Sequence, residues 1–432
     1  MIPEIETKSR EEIKSFQEEM LRKQLQYVAK YSPYYMRIFE ENNLDISTIS
    51  TLNDLTQLPV TTKDDLQQYN DDFFCVSSTK IIDYASTSGT TGNPVNFGIT
   101  DADLDRLAYN EAISFACAGI TKEDKVQLMT TMDRRFMAGL AYFLGLRKLG
   151  ASVIRVGAGI PALQWESIIN NNPTYLIAVP SFLLKLIHYA EENNINLSET
   201  SVKGAICIGE VLREQDFEPS SLTKRIKEKW DIELYSTYAS TEMSTAFTEC
   251  KIQKGGHHHP ELIITELLDE NNQPVPHGEI GELTITTLGV EALPLVRFKT
   301  GDLLKIDDSP CSCGRNTYRV GPVVGRSKQM IKYKGTTLYP PAIHNILNSF
   351  EEIDEHLVLL ETTDINTDNV IVKIACEDVS ATLIDKIKEK FQSKIRVIPE
   401  INLSTVDEIR RLKMADNSRK PRWVVDRRKA NF

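Results

Sequence analysis

Seven cysteines in 432 residues, an odd number scattered along a large chain, do not make a disulfide framework, and reduced thiols are expected. No apolar run approaches the ~18–20 residues needed to cross a bilayer. The opening Met1-Ile2-Pro3-Glu4-Ile5-Glu6 also lacks the basic-then-apolar pattern of a signal peptide. Both absences point to a cytoplasmic protein with no membrane partner. Basic charge is in short supply as well. A net charge of −11 argues against a nucleic-acid partner. Internal repeats and low-complexity segments are missing, which excludes solenoids and disordered arrays. What remains, 41% hydrophobic and 26% charged, is the balance of a globular chain long enough for at least two cores.

A Walker A lysine is missing too. The stretch Ser86-Thr87-Ser88-Gly89-Thr90-Thr91-Gly92-Asn93-Pro94 crowds hydroxyls and glycines together, but no Gly-Lys-Ser/Thr follows. Such a loop offers backbone N–H groups and hydroxyl donors that can wrap a polyphosphate. The bland reading is a flexible Ser/Thr/Gly linker.

Before that loop lies a helical arm, residues 1–75. Ser9 and Glu12 form a capping-box pattern, and Ile13, Phe16, Met20, Leu21, Leu25 and Val28 give a helix face that ends before Pro33. From 76 to 245 strands and helices alternate. Expected strands are Val126–Thr131, Ser152–Val156, Tyr175–Val179, Ala205–Ile208 and Ile232–Ser236. Helices are expected near Gly139–Leu149, Pro161–Asn170, Ser181–Glu191 and Arg213–Trp230. This pattern predicts a layered α/β core. Residues 246–326 read as β-rich. Residues 327–432 read as a small α+β unit with a hairpin around Gly335.

Four further stretches carry chemistry-bearing residues. Ile208-Gly209-Glu210-Val211 ends an apolar strand, where open α/β sheets bind ligands. Tyr235-Ser236-Thr237-Tyr238-Ala239-Ser240-Thr241-Glu242 runs a strand into a carboxylate suited to Mg²⁺, or simply to solvent. Asp302, after Gly301, can accept from a ribose or serve as a plain turn residue. Gly325-Arg326-Ser327-Lys328 sits at the expected domain join. The basic tail, with Arg419, Lys420 and Arg422, reads by composition as a solvated terminus.

In this order and spacing the five stretches resemble the adenylate-forming superfamily of acyl-CoA synthetases, adenylation domains and luciferases. The likeness is strongest to its phenylacetate–CoA ligase-like branch, which shares Tyr31-Ser32-Pro33-Tyr34-Tyr35 and Leu58-Pro59-Val60-Thr61-Thr62-Lys63. The resemblance implies an α/β fold: a large N-terminal domain (1–326) with a helical arm and β-rich part, and a small mobile C-terminal lid (327–432). It implies an ATP-dependent acid–CoA ligase, with ATP, Mg²⁺ and coenzyme A as cofactors and an aromatic carboxylic acid favoured as substrate. Ser86–Gly92 would cradle the phosphates, Thr241 would touch the α-phosphate, and Glu242 would hold Mg²⁺. Gly209, Glu210, Val211 and Tyr238 would border the adenine. Asp302 and Arg326 would hold the ribose. Lys420 would act in adenylation, although Arg419 stands where the family usually has glycine. Lys328 would be the hinge. The acid would lie near Phe136, Gly139, Ile208, Tyr235 and Ala239. Pairing through the large domains, as a homodimer, stays open. So do transfer of the acyl group to a carrier protein or an amine, and a catalytically silent nucleotide-binding homologue.

Cys250, His258, Cys311 and Cys313 remain. Three thiols and an imidazole make a closed tetrahedral set for structural Zn²⁺. His257 and His259 are alternative nitrogen ligands, and free thiols are the bland reading.

Overall fold

The computed structural model describes residues 2–87, 95–334, 336–363, 368–376, 380–414 and 422–428. The chain forms two units, Met1–Glu218 with Ile226–Pro322, and Pro219–Arg225 with Val323–Phe432.

In the first unit the arm is built from α1 (Arg10–Tyr31), α2 (Pro33–Glu41) and α3 (Lys63–Gln68). The Ser9/Glu12 capping box closes in both directions, a device worth about 1 kcal/mol. Ser32 ends α1 and caps α2, with Pro33 at the first helical position, where its missing N–H is harmless. The Tyr-Tyr and Leu-Pro-Val-Thr motifs lock this arm to the β-rich part. The Val296 N–H donates to the Tyr35 hydroxyl at 2.7 Å, and the Thr61 N–H donates to the Arg297 carbonyl at 2.9 Å. Buried Arg297 in turn donates to Glu266 and to the Leu58 carbonyl.

Next come the hairpin β1 (Asp83–Ser86) and β2 (Asn96–Ile99), then α4 (Asp101–Cys117). Sequence pattern shows none of the three. Helix α4 is buried along most of its length, from Leu107 to Cys117, so its apolar residues trace no single stripe. The alternation that follows is β3 (Lys125–Leu128), α5 (Met137–Leu149), β4 (Ser152–Arg155), α6 (Pro161–Asn171), β5 (Tyr175–Ala178), α7 (Pro180–Glu192), β6 (Gly204–Cys207), α8 (Ser221–Lys229), β7 (Glu233–Ser240) and β8 (Thr245–Thr248). The expected helix at Arg213–Trp230 starts only at Ser221. Pro219 disfavours helical backbone at Glu218, and Phe217 has φ +66°.

These strands form one sheet in the order β4-β3-β5-β6-β7-β8, parallel except for β8. Its order reverses between β3 and β5, the switch point where such sheets leave a crevice beyond the strand ends. Under it, Val126, Leu128, Ile177, Ile206 and Tyr235 pack with Phe115 and Tyr142.

The β-rich part adds β9 (Gly256–His257), β10 (Ile263–Leu268), β11 (Gly281–Thr287), β12 (Phe298–Leu304), β13 (Ile306–Asp307) and β14 (Arg319–Val320). Strands β10, β11 and β12 run antiparallel side by side.

The second unit holds β15 (Gly325–Arg326), the hairpin β16 (Ile331–Tyr333) and β17 (Thr336–Leu338), α9 (Pro340–Leu347), β18 (Glu355–Thr362), β19 (Asp368–Ala375), α10 (Ala381–Ile395), β20 (Glu400–Leu403), α11 (Val406–Lys413) and β21 (Val424–Asp426). Its main sheet runs β20-β19-β18-β21. Ile343, Leu347, Val358, Leu360, Val372, Ile387 and Phe391 fill the core beneath. The last elements, β20, α11 and β21, are too short to be read from periodicity.

Candidate active site

Ser86 closes β1 opposite Asn96. The Thr87 N–H donates to the Val95 carbonyl and the Val95 N–H to the Thr87 hydroxyl, both at 3.1 Å, so β1 and β2 are pinned together at the ends that flank the glycine-rich stretch. Ser88, Gly89, Thr90, Thr91 and Gly92 themselves lie outside the described residues. The base of the hairpin is tied to the switch point. The Ser86 N–H donates to the Arg135 carbonyl at 3.0 Å, and the Arg135 guanidinium donates to Asn96 Oδ1 at 3.1 Å. Arg134 and Arg135 both have left-handed backbone, φ +56° and +57°, a strain of order 1–3 kcal/mol each. Sequence pattern does not mark this pair, because the contacts of Arg135 with Ser86 and Asn96 form only on folding.

At the end of β6, Gly209 turns with φ +77°. Glu210 then reaches the start of α7, accepting from the Ser181 N–H and hydroxyl at 2.8 Å each. A carboxylate there complements the helix dipole. Val211 follows in the same loop, half-buried.

Along β7 the environment changes from core to crevice. Tyr235 is 6% exposed and belongs to the core under the sheet, whereas Tyr238 is half-buried and Ala239 exposed. The Tyr238 hydroxyl donates to Asp302 Oδ2 at 2.8 Å. Asp302 reaches that point because β12 bulges. Glu282 pairs with Leu303 but Thr284 with Lys299, so β12 carries extra residues around Gly301, which has φ +79°. Beyond Tyr238, Thr241 and the half-buried Glu242 occupy the turn into β8. Arg106 of α4 braces that turn, donating to the carbonyls of Ser244, Leu262 and Leu288 at 2.6–2.7 Å. No local sequence signal marks Arg106, since its partners lie 138 to 182 residues away.

Of the expected acid pocket, Phe136 follows the strained arginines and Ile208 packs on the sheet core. Gly139 lets α5 approach the loop after β3: a Cβ there would meet the Thr131 carbonyl at 2.1 Å. Arg326 and Lys328 lie in the second unit, and Lys420 lies outside the described residues.

The metal-ligand set needs one correction. Cys250, Cys311 and Cys313 converge with His257, not His258, and the four ligand atoms all lie within 4.8 Å of one another. His257 ends β9 and His258 follows it in extended chain, its N–H on the Tyr318 carbonyl, so the two side chains point to different sides. His258 instead stacks on Tyr318 at 4.2 Å and lies 2.7 Å from the Ile263 carbonyl. The 3.7 Å between Cys250 and Cys311 Sγ matches the edge of a tetrahedron with ~2.3 Å metal–sulfur bonds. Thr317 lies 3.1 Å from His257 Nδ1, leaving Nε2 for the metal. Burial raises the Cys250 thiol to about 12. It pushes Cys313 the same way, but the His257 hydrogen bond leads the contacts that bring Cys313 down to about 5.

Behind the knuckle sits a buried ion network. Glu6, 0% exposed, pairs with His259 Nδ1 at 2.5 Å and with Arg315 Nε at 2.7 Å, and Arg315 also reaches Cys313 Sγ.

The β1–β2 hairpin, the Tyr238–Asp302 pair and the Thr241-Glu242 turn lie in the part of the chain built on the parallel sheet. The family model for AMP-binding enzymes matches residues 52–291, and the chain belongs to that family. Within it the chain stands in the phenylacetate–CoA ligase-like branch. It is 28% identical to a phenylacetate–coenzyme A ligase of Thermus thermophilus, over 96% of this chain and 92% of the relative. To the enzyme of the same name from Escherichia coli it is 29% identical, over 88% and 86%. A crystal structure of 2-hydroxyisobutyryl-CoA ligase in the postadenylation state, 25% identical, superposes with a TM-score of 0.85 over 98% of this chain and 91% of that one. Among the described residues, no helix is long and apolar enough to cross a membrane.

Proposed function

We propose that this protein activates an aromatic carboxylic acid with ATP and passes the acyl group to coenzyme A. It is an AMP-forming acid–CoA ligase. The carboxylate attacks the α-phosphorus and pyrophosphate leaves; the thiol then attacks the acyl-adenylate carbonyl and AMP leaves. Because an anion must approach a polyanion, preorganised donors and cations are the main catalytic device. The observation that carries the site assignment is the 2.8 Å Tyr238–Asp302 pair near the end of β7, just before Thr241 and Glu242.

In this reading the hairpin tip, Ser86–Gly92, grips the β- and γ-phosphates, and Thr241 donates to the α-phosphate. The Tyr238 ring lies against adenine beside Gly209, Glu210 and Val211. Asp302 accepts from the ribose hydroxyls with help from Arg326. Lys420 bridges the carboxylate and the α-phosphate during adenylation. The acid binds near Phe136, Ile208 and Ala239, with Gly139 and Tyr235 packing behind. Mg²⁺, when bound, spreads the phosphate charge, and half-buried Glu242 is its carboxylate ligand. The small unit turns about Lys328 between half-reactions. Cys250, His257, Cys311 and Cys313 hold Zn²⁺ in a structural role, since four protein ligands leave no open position. That none of the seven cysteines is in a disulfide supports a cytoplasmic setting.

Pyrophosphate release over a panel of aromatic and small hydroxy acids, with and without coenzyme A, tests this. The expected result is release coupled to a CoA thioester detected by mass. Release that ignores coenzyme A favours a carrier-protein or amine acceptor, and none with any acid overturns the reading.

A further inference from the structure

Residues 313–317 face two ways. Cys313 supplies a sulfur to the cysteine knuckle, and the Thr317 hydroxyl lies 3.1 Å from Nδ1 of His257, the knuckle's imidazole. Between them, Arg315 and Asn316 turn to the start of the chain. The Asn316 N–H donates to the Glu6 carbonyl at 2.7 Å, and its side-chain amide donates to the Thr7 and Lys8 carbonyls at 3.0 Å each. Arg315 is 4% exposed and acts as a fork. Its Nε donates to Glu6 Oε2 at 2.7 Å, while Nη1 donates to Cys313 Sγ at 3.7 Å. The other Glu6 oxygen meets His259 Nδ1 at 2.5 Å, two residues beyond His257. Glu6 therefore joins the two segments that bring His257 and Cys313 together, whose Nε2 and Sγ stand 3.3 Å apart.

A guanidinium is planar, so a bond at Nε fixes where Nη1 points. Three thiolates around a divalent cation leave one negative charge in excess, and a donor held in place beside a buried anion stabilises it. Arg315 is that donor, and Glu6 holds it. Outer partners of this kind orient metal ligands and tune affinity. The coupling runs the other way as well. The short 3-10 turn Glu4–Thr7 is too brief to persist alone, and it draws its order from contacts such as those with Arg315, His259 and Asn316.

We propose that Glu6 and Arg315 are positioning residues for the metal knuckle, and that zinc binding and the seating of residues 4–8 are linked, each stabilising the other. The inference rests on the assignment of Zn²⁺ to Cys250, His257, Cys311 and Cys313. Linkage is reciprocal: the factor by which the seated segment raises zinc affinity is the factor by which zinc stabilises the seat. Every residue involved belongs to the first unit.

Competition with a chromogenic chelator reads zinc affinity in the untagged full-length protein. Glu6→Gln and Arg315→Gln weaken it by about tenfold to a hundredfold. Arg315→Lys, a point charge that cannot span Glu6 and Cys313 together, gives a smaller loss and a milder change should the others fail to fold. Glu266→Gln breaks a different buried pair of the same unit, that with Arg297 at 2.9 Å, and keeps the parent's affinity. Equal weakening in that control would reduce the effect to general stability. Unchanged affinity in the Glu6 and Arg315 variants would dismiss the positioning role. Hydrogen exchange on the parent reads the reverse direction with no substitution at all. Removing zinc speeds exchange at the Glu6, Lys8 and Asn316 amides by about tenfold, while the amides of β5 keep their protection. Unchanged exchange at the first three would dismiss the linkage. A parent that holds no zinc ends the zinc assignment and this inference with it; a parent that holds zinc equally well with or without the Glu6 and Arg315 contacts ends the inference alone.

Discussion

The Tyr238 hydroxyl donates to the Asp302 carboxylate across the gap between two sheets of the first unit. Asp302 is 7% exposed, so its charge depends on such donors. Tyr238→Phe removes one of them and frees the aspartate to shift. The KM for ATP rises about tenfold, near 1.4 kcal/mol, and Asp302→Ala raises it further. Steady-state kinetics with varied ATP reads both. An unchanged KM in the aspartate variant would remove Asp302 from the nucleotide site.

The cysteine knuckle is expected to bind one zinc per chain, which elemental analysis of untagged protein checks. His257→Ala loses the metal, whereas His258→Ala keeps it. The reverse outcome would mean that His258, not His257, faces the cysteines.

Glu6 is buried between His259 and Arg315. Burial would raise its carboxyl, and the contacts with His259 and Arg315 hold it below the ordinary range instead. Glu6→Gln leaves Arg315 without its buried counter-charge, a loss of about 3–5 kcal/mol. Urea unfolding should show it. A change below about 1 kcal/mol would mean that water reaches the network.

Acid should destabilise the second unit before its carboxylates titrate. Burial, then the nearby Lys413, brings His344 down to about 3. Burial, His344 and Lys413 push His356 well below its usual value. Lys413, Glu355, Arg410 and neutral Trp423 surround the pair. The unfolded chain takes up protons near pH 6.5 that the folded chain refuses, so this stability is full above that pH and declines toward pH 3. Each histidine contributes a slope of about 1.4 kcal/mol per pH unit. Urea midpoints between pH 7 and 5 follow it, and His344→Gln makes the profile shallower.

Sequence and structure agree best where a pattern is local. The Ser9 capping box, the alternating strands and the β-rich character of residues 246–326 all reflect neighbours within a few residues. Helix α4 escaped because burial along most of its length erases periodicity, and the α8 boundary because Pro219 acts on the residue before it. At the site, residue types and order led to Tyr238, Glu242 and Asp302. Arg106, Arg135 and Glu6 were illegible, since their work is done on partners brought close only by folding. His257 and His258 differ by one position, which a sequence cannot orient.

The Glu6 network ties the first turn of the chain to residues 253 and 309 positions later. During synthesis, therefore, Glu6 can meet His259 first, but its network is complete only once Arg315 has been added. The helical arm can form early, but its seat is among the last pieces made. The beginning of the protein closes the large unit only after the ribosome has all but finished it.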